Sequence, residues 1–221
     1  MIDKIRKNRA DLYIDRSKIQ KNIAKKLISK ISEKPKKIVD LGCGTGYVYE
    51  AIEWELDSFI AVDRDFALLQ RHPRRPEIEC VCNDFDTMWL PSNYSYFSSS
   101  SLQWSMNLEA LIDSIKKRTN QVAIAIFSSQ SFKHFHNEIG SSSPLYSSDE
   151  IRRVFLKNFL DITLEFETID VEFEDARSLV DFLRYSGMFK RDREINYKLA
   201  KKAINLEITK DSIEILYAYN I

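Results

Sequence analysis

Ile38-Val39-Asp40-Leu41-Gly42-Cys43-Gly44-Thr45-Gly46 is the stretch whose reading decides the fold of this chain. Three apolar residues and an acid lead into a loop with glycine at every second position. Ile38 to Leu41 read as a short buried strand. From Tyr47 the apolar spacing turns helical, with Val48, Ala51 and Ile52 on one face. Strand, tight glycine turn and helix form the arrangement in which a nucleotide-like ligand lies across a helix N-terminus. One glycine can take φ > 0 to make the turn, and the others let backbone approach a ligand that a Cβ would block. Three of the five glycines of the chain sit here, a concentration that a plain structural turn does not need.

The spacing narrows the ligand. The dinucleotide fingerprint is G-x-G-x-x-G, and here the third glycine comes one residue early, with Tyr47 in the place that pattern reserves for glycine. Phe59-Ile60-Ala61-Val62-Asp63 supplies a second strand ending in an acid, about twenty residues after the first glycine, the distance at which related folds hold a ribose. The D-x-G-x-G-x-G form of Asp40 to Gly46 resembles the first motif of the class I S-adenosylmethionine-dependent methyltransferases. That resemblance implies that Asp40 and the loop (Gly42, Cys43, Gly44, Gly46) hold the methionine end of the cofactor, and that Asp63, with Arg64 beside it, holds the ribose.

The bulk composition sets wider bounds. A chain of 221 residues with 44% apolar content suits one large globular domain. It has no apolar run long enough to span a bilayer, and charge from Asp3 and Lys4 onward leaves no apolar signal segment. A cytoplasmic protein is expected. Cys43, Cys80 and Cys82 are too few and too poorly placed for a disulfide framework, and Cys80-Val81-Cys82 would point its thiols to opposite faces of a strand, so no metal is expected. Net charge is zero but uneven: residues 1–37 carry 13 basic and 4 acidic residues, a local +9. Such a segment marks either an anionic partner or a solvated lysine-rich face.

Along the chain, residues 1–15 are polar, with an aromatic at Tyr13. Residues 16–31 form an amphipathic helix on Ile19, Ile23, Leu27 and Ile31, closed by Glu33-Lys34-Pro35. A strand at 58–63 and a helix at 65–71 follow, with Phe66, Leu68 and Leu69 apolar. Strand 78–82 leads into Asn83-Asp84-Phe85-Asp86. Tyr94 to Phe97 make a fourth strand, helix 108–118 carries Leu108, Leu111, Ile112 and Ile115, and Val122 to Phe127 read as a strand buried on both faces. Ser98 to Ser101 look like a linker in isolation, but in register they fall at the carboxyl end of the fourth strand, where ligands bind. Five βα units in order predict an α/β fold with a parallel, doubly wound, Rossmann-like sheet. After Ser131 the rhythm stops: helices are expected over 132–139, from Ser147 or Ser148 to Phe155, and over 175–185, with strands over 162–173 and 212–219.

The methyltransferase resemblance completes this frame. It implies that Asp84 meets the adenine amino group, that Phe85 packs on the ring and that Ser99 joins the cofactor set, although Asp84 also reads as a turn acid capping the next helix. The late antiparallel strands would finish a seven-stranded sheet. Ser98-Ser-Ser-Ser-Leu-Gln-Trp104, the run Ala123-Ile-Ala-Ile-Phe-Ser-Ser-Gln-Ser-Phe-Lys-His-Phe135, Ser178-Leu-Val-Asp-Phe-Leu-Arg-Tyr-Ser-Gly-Met188 and the N-terminal Tyr13 with Ile19-Gln20 resemble segments of the malonyl-acyl-carrier-protein O-methyltransferases of biotin synthesis. Ser99 and Ser101 depart from the asparagine and small residue usual there. The implied organisation is one domain over 1–221: an N-terminal lid helix and basic segment at 1–34, a cofactor-binding core at 36–130, insertions roofing the site and the sixth strand at 131–205, and a closing strand at 206–221.

The resemblance also implies the chemistry. The substrate is the free carboxylate of a malonyl thioester on acyl carrier protein, the methyl donor is S-adenosylmethionine, and the product cofactor is S-adenosylhomocysteine. A carboxylate is already ionised at neutral pH, so no general base is expected. Arginine suits a carboxylate because its planar fork pairs with both oxygens, and Arg184 is the candidate that the family segment presents. Tyr13, Gln103, Trp104 and Tyr185 are placed around the substrate. His134 and His136, two apart on a helix, face different ways and read as structural or exposed. The acidic carrier would meet the N-terminal lysines or Lys198, Lys201 and Lys202. A monomer is expected, with neither membrane nor nucleic acid as partner. The competing readings are methylation of RNA or of another small acid, and a non-catalytic scaffold; no recognisable RNA-binding module supports the first.

Overall fold

The computed structural model describes residues 18–186, Lys198 and residues 201–221, with the backbone alone at Tyr185. The described elements run α1 (Lys18–Ser29), β1 (Lys37–Leu41), α2 (Tyr47–Ala51), β2 (Ser58–Asp63), α3 (Phe66–Leu69), β3 (Ile78–Cys82), β4 (Ser95–Ser99), a 3-10 turn (Leu102–Trp104), α4 (Leu108–Lys116), β5 (Val122–Phe127), α5 (Lys133–Ile139), α6 (Ser148–Asn158), β6 (Thr163–Glu172), α7 (Ala176–Tyr185) and β7 (Lys210–Tyr219). They build a seven-stranded sheet of order β3-β2-β1-β4-β5-β7-β6. The first five strands are parallel, β7 runs antiparallel to β5, and β6 runs antiparallel to β7. The doubly wound parallel part is as the periodicity predicts, and the closing antiparallel pair is as the methyltransferase resemblance implies.

Alternation along the strands divides the core into two layers. In β5, Ala123, Ala125 and Phe127 face one layer and Val122, Ile124 and Ile126 the other, and all six are buried. The first layer is closed by Ile23, Ala24, Leu27 and Ile28 of α1 and by Leu179, Val180, Phe182 and Leu183 of α7. The second is closed by Leu108, Leu111, Ile112 and Ile115 of α4 and Ile151, Val154 and Phe155 of α6. Each of the leucine, isoleucine, valine and phenylalanine side chains so removed from water contributes about 1.5–3 kcal/mol. Asn107 accepts from the Ala110 N–H to start α4, and Ser147 with Glu150 forms a capping box at the start of α6.

Two helices are shorter than their apolar spacing suggests. α2 stops at Ala51 because Ile52 turns extended and the Trp54 indole donates to the Pro35 carbonyl at 2.9 Å, drawing the chain back to the foot of β1. α3 is a single turn started by Asp65, so Phe66 stays 61% exposed and only Leu69 is buried. No described helix is long and apolar enough to cross a membrane.

Candidate functional site

The parallel strands all end on one edge. At that edge the connection after β1 leaves toward β2 while the connection after β4 leaves toward β5, so a crevice opens between β1 and β4, the switch point where ligands bind in such sheets. The glycine loop forms one lip. Gly42, Gly44 and Gly46 have φ of 73°, 55° and 100°, a sequence of left-handed residues that side chains with a Cβ rarely adopt. The Val62 carbonyl pins the loop by accepting from the Gly42 and Cys43 N–H groups at 2.8 and 2.9 Å.

Ser98 to Ser101 form the opposite lip, and they are a stitched segment rather than a linker. The Ser98 hydroxyl donates to the Leu41 carbonyl at 2.7 Å and that of Ser101 to the Gly42 carbonyl at 2.8 Å. Ser100 turns left-handed at φ 60° while its N–H donates to Ala125 O. Serine fits here because it is small and can hydrogen-bond to backbone at close range. The space that two glycines lack a Cβ to fill is taken by protein, which corrects the expectation that a ligand needs it. A Cβ on Gly42 would stand 2.3 Å from Ser101, and one on Gly46 would stand 2.7 Å from Pro73 and 3.0 Å from the His72 ring.

Asp40 lies at the bottom of the crevice. It is fully buried, and neither carboxylate oxygen has a hydrogen-bond partner among the described residues. Burial, followed by repulsion from Asp63, pushes its carboxyl well above the usual range. Asp63, at the end of β2, differs: its Oδ2 accepts from the Gly44 N–H and its Oδ1 from the Asp65 N–H, both at 2.8 Å. Its pKa is raised too, first by burial, with those two N–H groups opposing the rise. The Cys43 thiol is pushed up by burial and by both aspartates. Thr45, Ser99 and Ser100 hydroxyls and the Gln103 Oε1 are also buried without partners among the described residues. Gln103 is held by its Nε2, which donates to the Ser100 carbonyl at 2.7 Å, so its free atom is an acceptor. The crevice therefore offers the Asp40 carboxylate and the Gln103 Oε1 as acceptors, with three hydroxyls that can accept or donate, a set that suits a cationic ligand group.

The other expected residues are placed unevenly. Arg64 and Asp84 approach to 3.9 Å at the mouth of the crevice. Asp84 also shapes its own turn, its Oδ1 accepting from the Asp86 N–H and its carbonyl from the Thr87 and Met88 N–H groups. Phe85 stands 3.6 Å from the position of a Gly42 Cβ and lines a cavity of about 160 Å³ with Met88, Leu90 and Met106. Trp104 packs partly buried against the first layer. Arg184 is exposed on α7, and no described contact joins it to the crevice. Tyr13 and the side chain of Tyr185 lie outside the described residues. Exposed Lys198, Lys201 and Lys202 stand together in the chain, with Lys202 Nζ close to Gly140. His134 is exposed, and His136 is buried against the Ser141 hydroxyl at 2.7 Å.

Several neighbours of the site carry no local sequence signal. His72 is buried beneath Gly46 between the Tyr49 and Phe59 rings. Asp86 accepts from the Ser105 hydroxyl at 2.5 Å and from the Met106 N–H at 2.8 Å, closing the turn after β4. The Tyr146 hydroxyl donates to Ser105 O at 2.9 Å and accepts from the Leu108 N–H at 3.2 Å, bringing the loop before α6 over the same place. Only the fold brings these distant residues together. A larger cavity of about 550 Å³ lies at the β6–β7 end, beside His134, Asp170 and Asp211. Its polar groups are largely satisfied: Asp211 accepts from the Phe135 N–H at 2.7 Å, and Lys210 pairs with Glu172 at 3.0 Å. The unpartnered buried atoms locate the site better than cavity size does. No described group of three or more histidine, cysteine or acidic side chains could hold a metal ion.

Comparison with known proteins agrees with this architecture. No family model matches the chain. It is 24% identical to the malonyl-[acyl-carrier protein] O-methyltransferase of Halorhodospira halophila across 83% of this chain and 69% of that protein. It is 25% identical to the protein of the same name from Bacillus cereus across 81% of this chain and 77% of that one. Among solved structures, the plantazolicin methyltransferase in complex with SAH superposes with a TM-score of 0.57 at 12% identity, covering 99% of this chain and 92% of that one. Geranyl diphosphate methyltransferase in complex with SAM gives 0.57 at 11% identity, covering 96% and 89%. The chain has the class I methyltransferase fold and resembles the malonyl-acyl-carrier-protein O-methyltransferases in sequence.

Proposed function

We propose that the protein is an S-adenosylmethionine-dependent O-methyltransferase that esterifies the free carboxylate of a malonyl group carried on acyl carrier protein, an early step of biotin synthesis, in the cytoplasm and as a monomer. The observation that carries the cofactor reading is Asp40: a fully buried carboxylate with both oxygens unpartnered, at the switch point of the sheet, beneath a glycine loop. An uncompensated buried acid is costly unless a cation meets it. The acceptors around it fit the ammonium end of an amino-acid-bearing cofactor. The names of the sequence relatives support the substrate.

Bound S-adenosylmethionine would supply an electrophilic methyl group on a sulfonium, leaving as S-adenosylhomocysteine. Asp40, Gly42, Cys43, Gly44 and Gly46 would hold its methionine end and Asp63 with Arg64 its ribose. Asp84 and Phe85 would hold the adenine, with Ser99 at the opposite lip. The remaining task is alignment. The malonyl carboxylate, ionised at neutral pH, must approach in line with the methyl and away from water, and such positioning supplies roughly 7–11 kcal/mol without a general base. Arg184, Gln103, Trp104, Tyr13 and Tyr185 are the residues proposed to hold it. Residues 131–205 would roof the site and 1–34 would close it, the whole forming a single domain.

The test is intact-mass spectrometry of malonyl- and acetyl-acyl carrier protein incubated with the protein and S-adenosylmethionine. Gain of one methyl by the malonyl form alone supports the reading. No gain, with cofactor binding measured separately, rejects this substrate and directs the search to other small acids and RNA.

A further inference from the structure

We propose that Asp40 stands protonated in the cofactor-free protein and gives up its proton as a cationic ligand group enters, so that capture of the cofactor is coupled to release of one proton from this side chain. The geometry assigns the proton to Asp40 rather than to Asp63. Two carboxyl groups share the crevice, and Asp63 has its charged form supported by the Gly44 and Asp65 N–H groups at 2.8 Å. Asp40 has no donor on either oxygen and no exposure. Of two coupled acids, the one without donors keeps the proton.

The titratable groups facing Asp40 are Asp63 from the end of β2 and the Cys43 thiol from the glycine loop, both acids. Its neighbours in register, Ala61 of β2 and Phe97 of β4, are apolar. No cationic side chain among the described residues acts on its titration. A positive group placed against it changes that balance. The carboxyl O–H bond then breaks, the proton leaves to solvent, and the carboxylate pairs with the ammonium. By linkage, affinity for the cation rises with pH until Asp40 is ionised in the free protein as well. The proposal rests on the methyltransferase reading for the identity of the cation.

Calorimetric titration of the full chain with S-adenosylmethionine tests it, run at pH 6 in two buffers of different ionisation enthalpy. At that pH the ligand ammonium, with an ordinary pKa of about 7.7–8.0, is already charged and takes up no proton. The expected result is net proton release on binding, up to one proton per ligand, and none in Asp40→Asn, which binds roughly tenfold or more weakly. Difference infrared spectroscopy of the unaltered protein gives a second readout, the protonated-carboxyl stretch being lost on ligand addition. Binding with buffer-independent heat and an unchanged spectrum overturns the coupling and leaves the cofactor reading standing. Proton release that persists in Asp40→Asn overturns the assignment to this residue. Absence of binding by both methods overturns the cofactor reading and the coupling with it.

Discussion

The side chain of Ser101 occupies the space that a Cβ on Gly42 would need. The two residues come from different strand ends, and an added Cβ would stand 2.3 Å from both the Cβ and the Oγ of Ser101. The same hydroxyl donates to the Gly42 carbonyl at 2.8 Å, so the contact that excludes a side chain also holds the loop. Gly42→Ala faces a steric clash and a left-handed φ of 73° together. It should lower stability by about 2–4 kcal/mol, read from chemical denaturation. Adding Ser101→Gly should recover part of that loss, the steric part, and leave the backbone part. A double variant no more stable than the single one would contradict this division.

Asp63 has two tasks in this account, shaping the loop through Gly44 and facing the ribose. Asp63→Ala should lower stability by about 1–3 kcal/mol as two partly buried N–H groups lose their acceptor, and should weaken cofactor binding beyond that loss. Asp63→Asn retains one acceptor oxygen and should fall between. Calorimetric affinity unchanged in both variants removes Asp63 from the ligand.

Glu214 ties three elements together. Its Oε1 accepts from the Ser128 hydroxyl at 2.6 Å and from the Ser148 hydroxyl at the start of α6, while its backbone exchanges hydrogen bonds with Ser131 at 3.1 Å. Hydrogen bonds to a charged acceptor are worth roughly 1.5–3 kcal/mol each. Glu214→Ala should therefore lower the denaturation midpoint clearly, with little change in cofactor affinity. A midpoint within error of the parent would show that the cluster is not a structural tie.

Asp40 and Asp63 should also leave a mark on stability against pH. Both carboxyls are raised in the folded state, Asp40 most by burial. An acid raised on folding binds more protons folded than unfolded. Its contribution is greatest below the unfolded carboxylate pKa of about 3.9 and declines as pH rises toward the folded value. Asp40→Asn should flatten the cofactor-free stability profile above that point and raise stability near neutrality. A profile parallel to that of the parent protein would contradict the assignment.

Arg184 is an exposed side chain, so Arg184→Ala should shift stability by less than about 0.5 kcal/mol. If it grips the malonyl carboxylate, kcat/KM for the malonyl thioester should fall by tenfold or more with cofactor affinity intact, and Arg184→Lys should restore little because it loses the paired fork. Normal kinetics in the alanine variant would remove it from the substrate site.

The features legible in the sequence were those that write a local pattern. Asp40 to Gly46, the acid at Asp63 and the fully apolar Val122–Phe127 each carry their role in their own spacing, and together they specify the sheet and its switch point. The end of α2 was not legible, because Trp54 reaching back to Pro35 is a contact between segments. Phe66 and Leu68 look like a helix face, yet α3 ends after one turn and leaves Phe66 outside. His72, Asp86 and Tyr146 reach the site through packing between strand ends, which no residue spacing encodes. The serine run reads two ways until the sheet register places Ser98 beside Leu41 and Ser101 beside Gly42.

The most direct measurement of the central claim follows a labelled methyl group from S-adenosylmethionine in a mixture of malonyl-acyl carrier protein, acetyl-acyl carrier protein and RNA. The account predicts label on the malonyl carrier alone, released as methanol by mild base as a methyl ester must be. Label that resists base, or that settles on RNA or on the acetyl carrier, would contradict it.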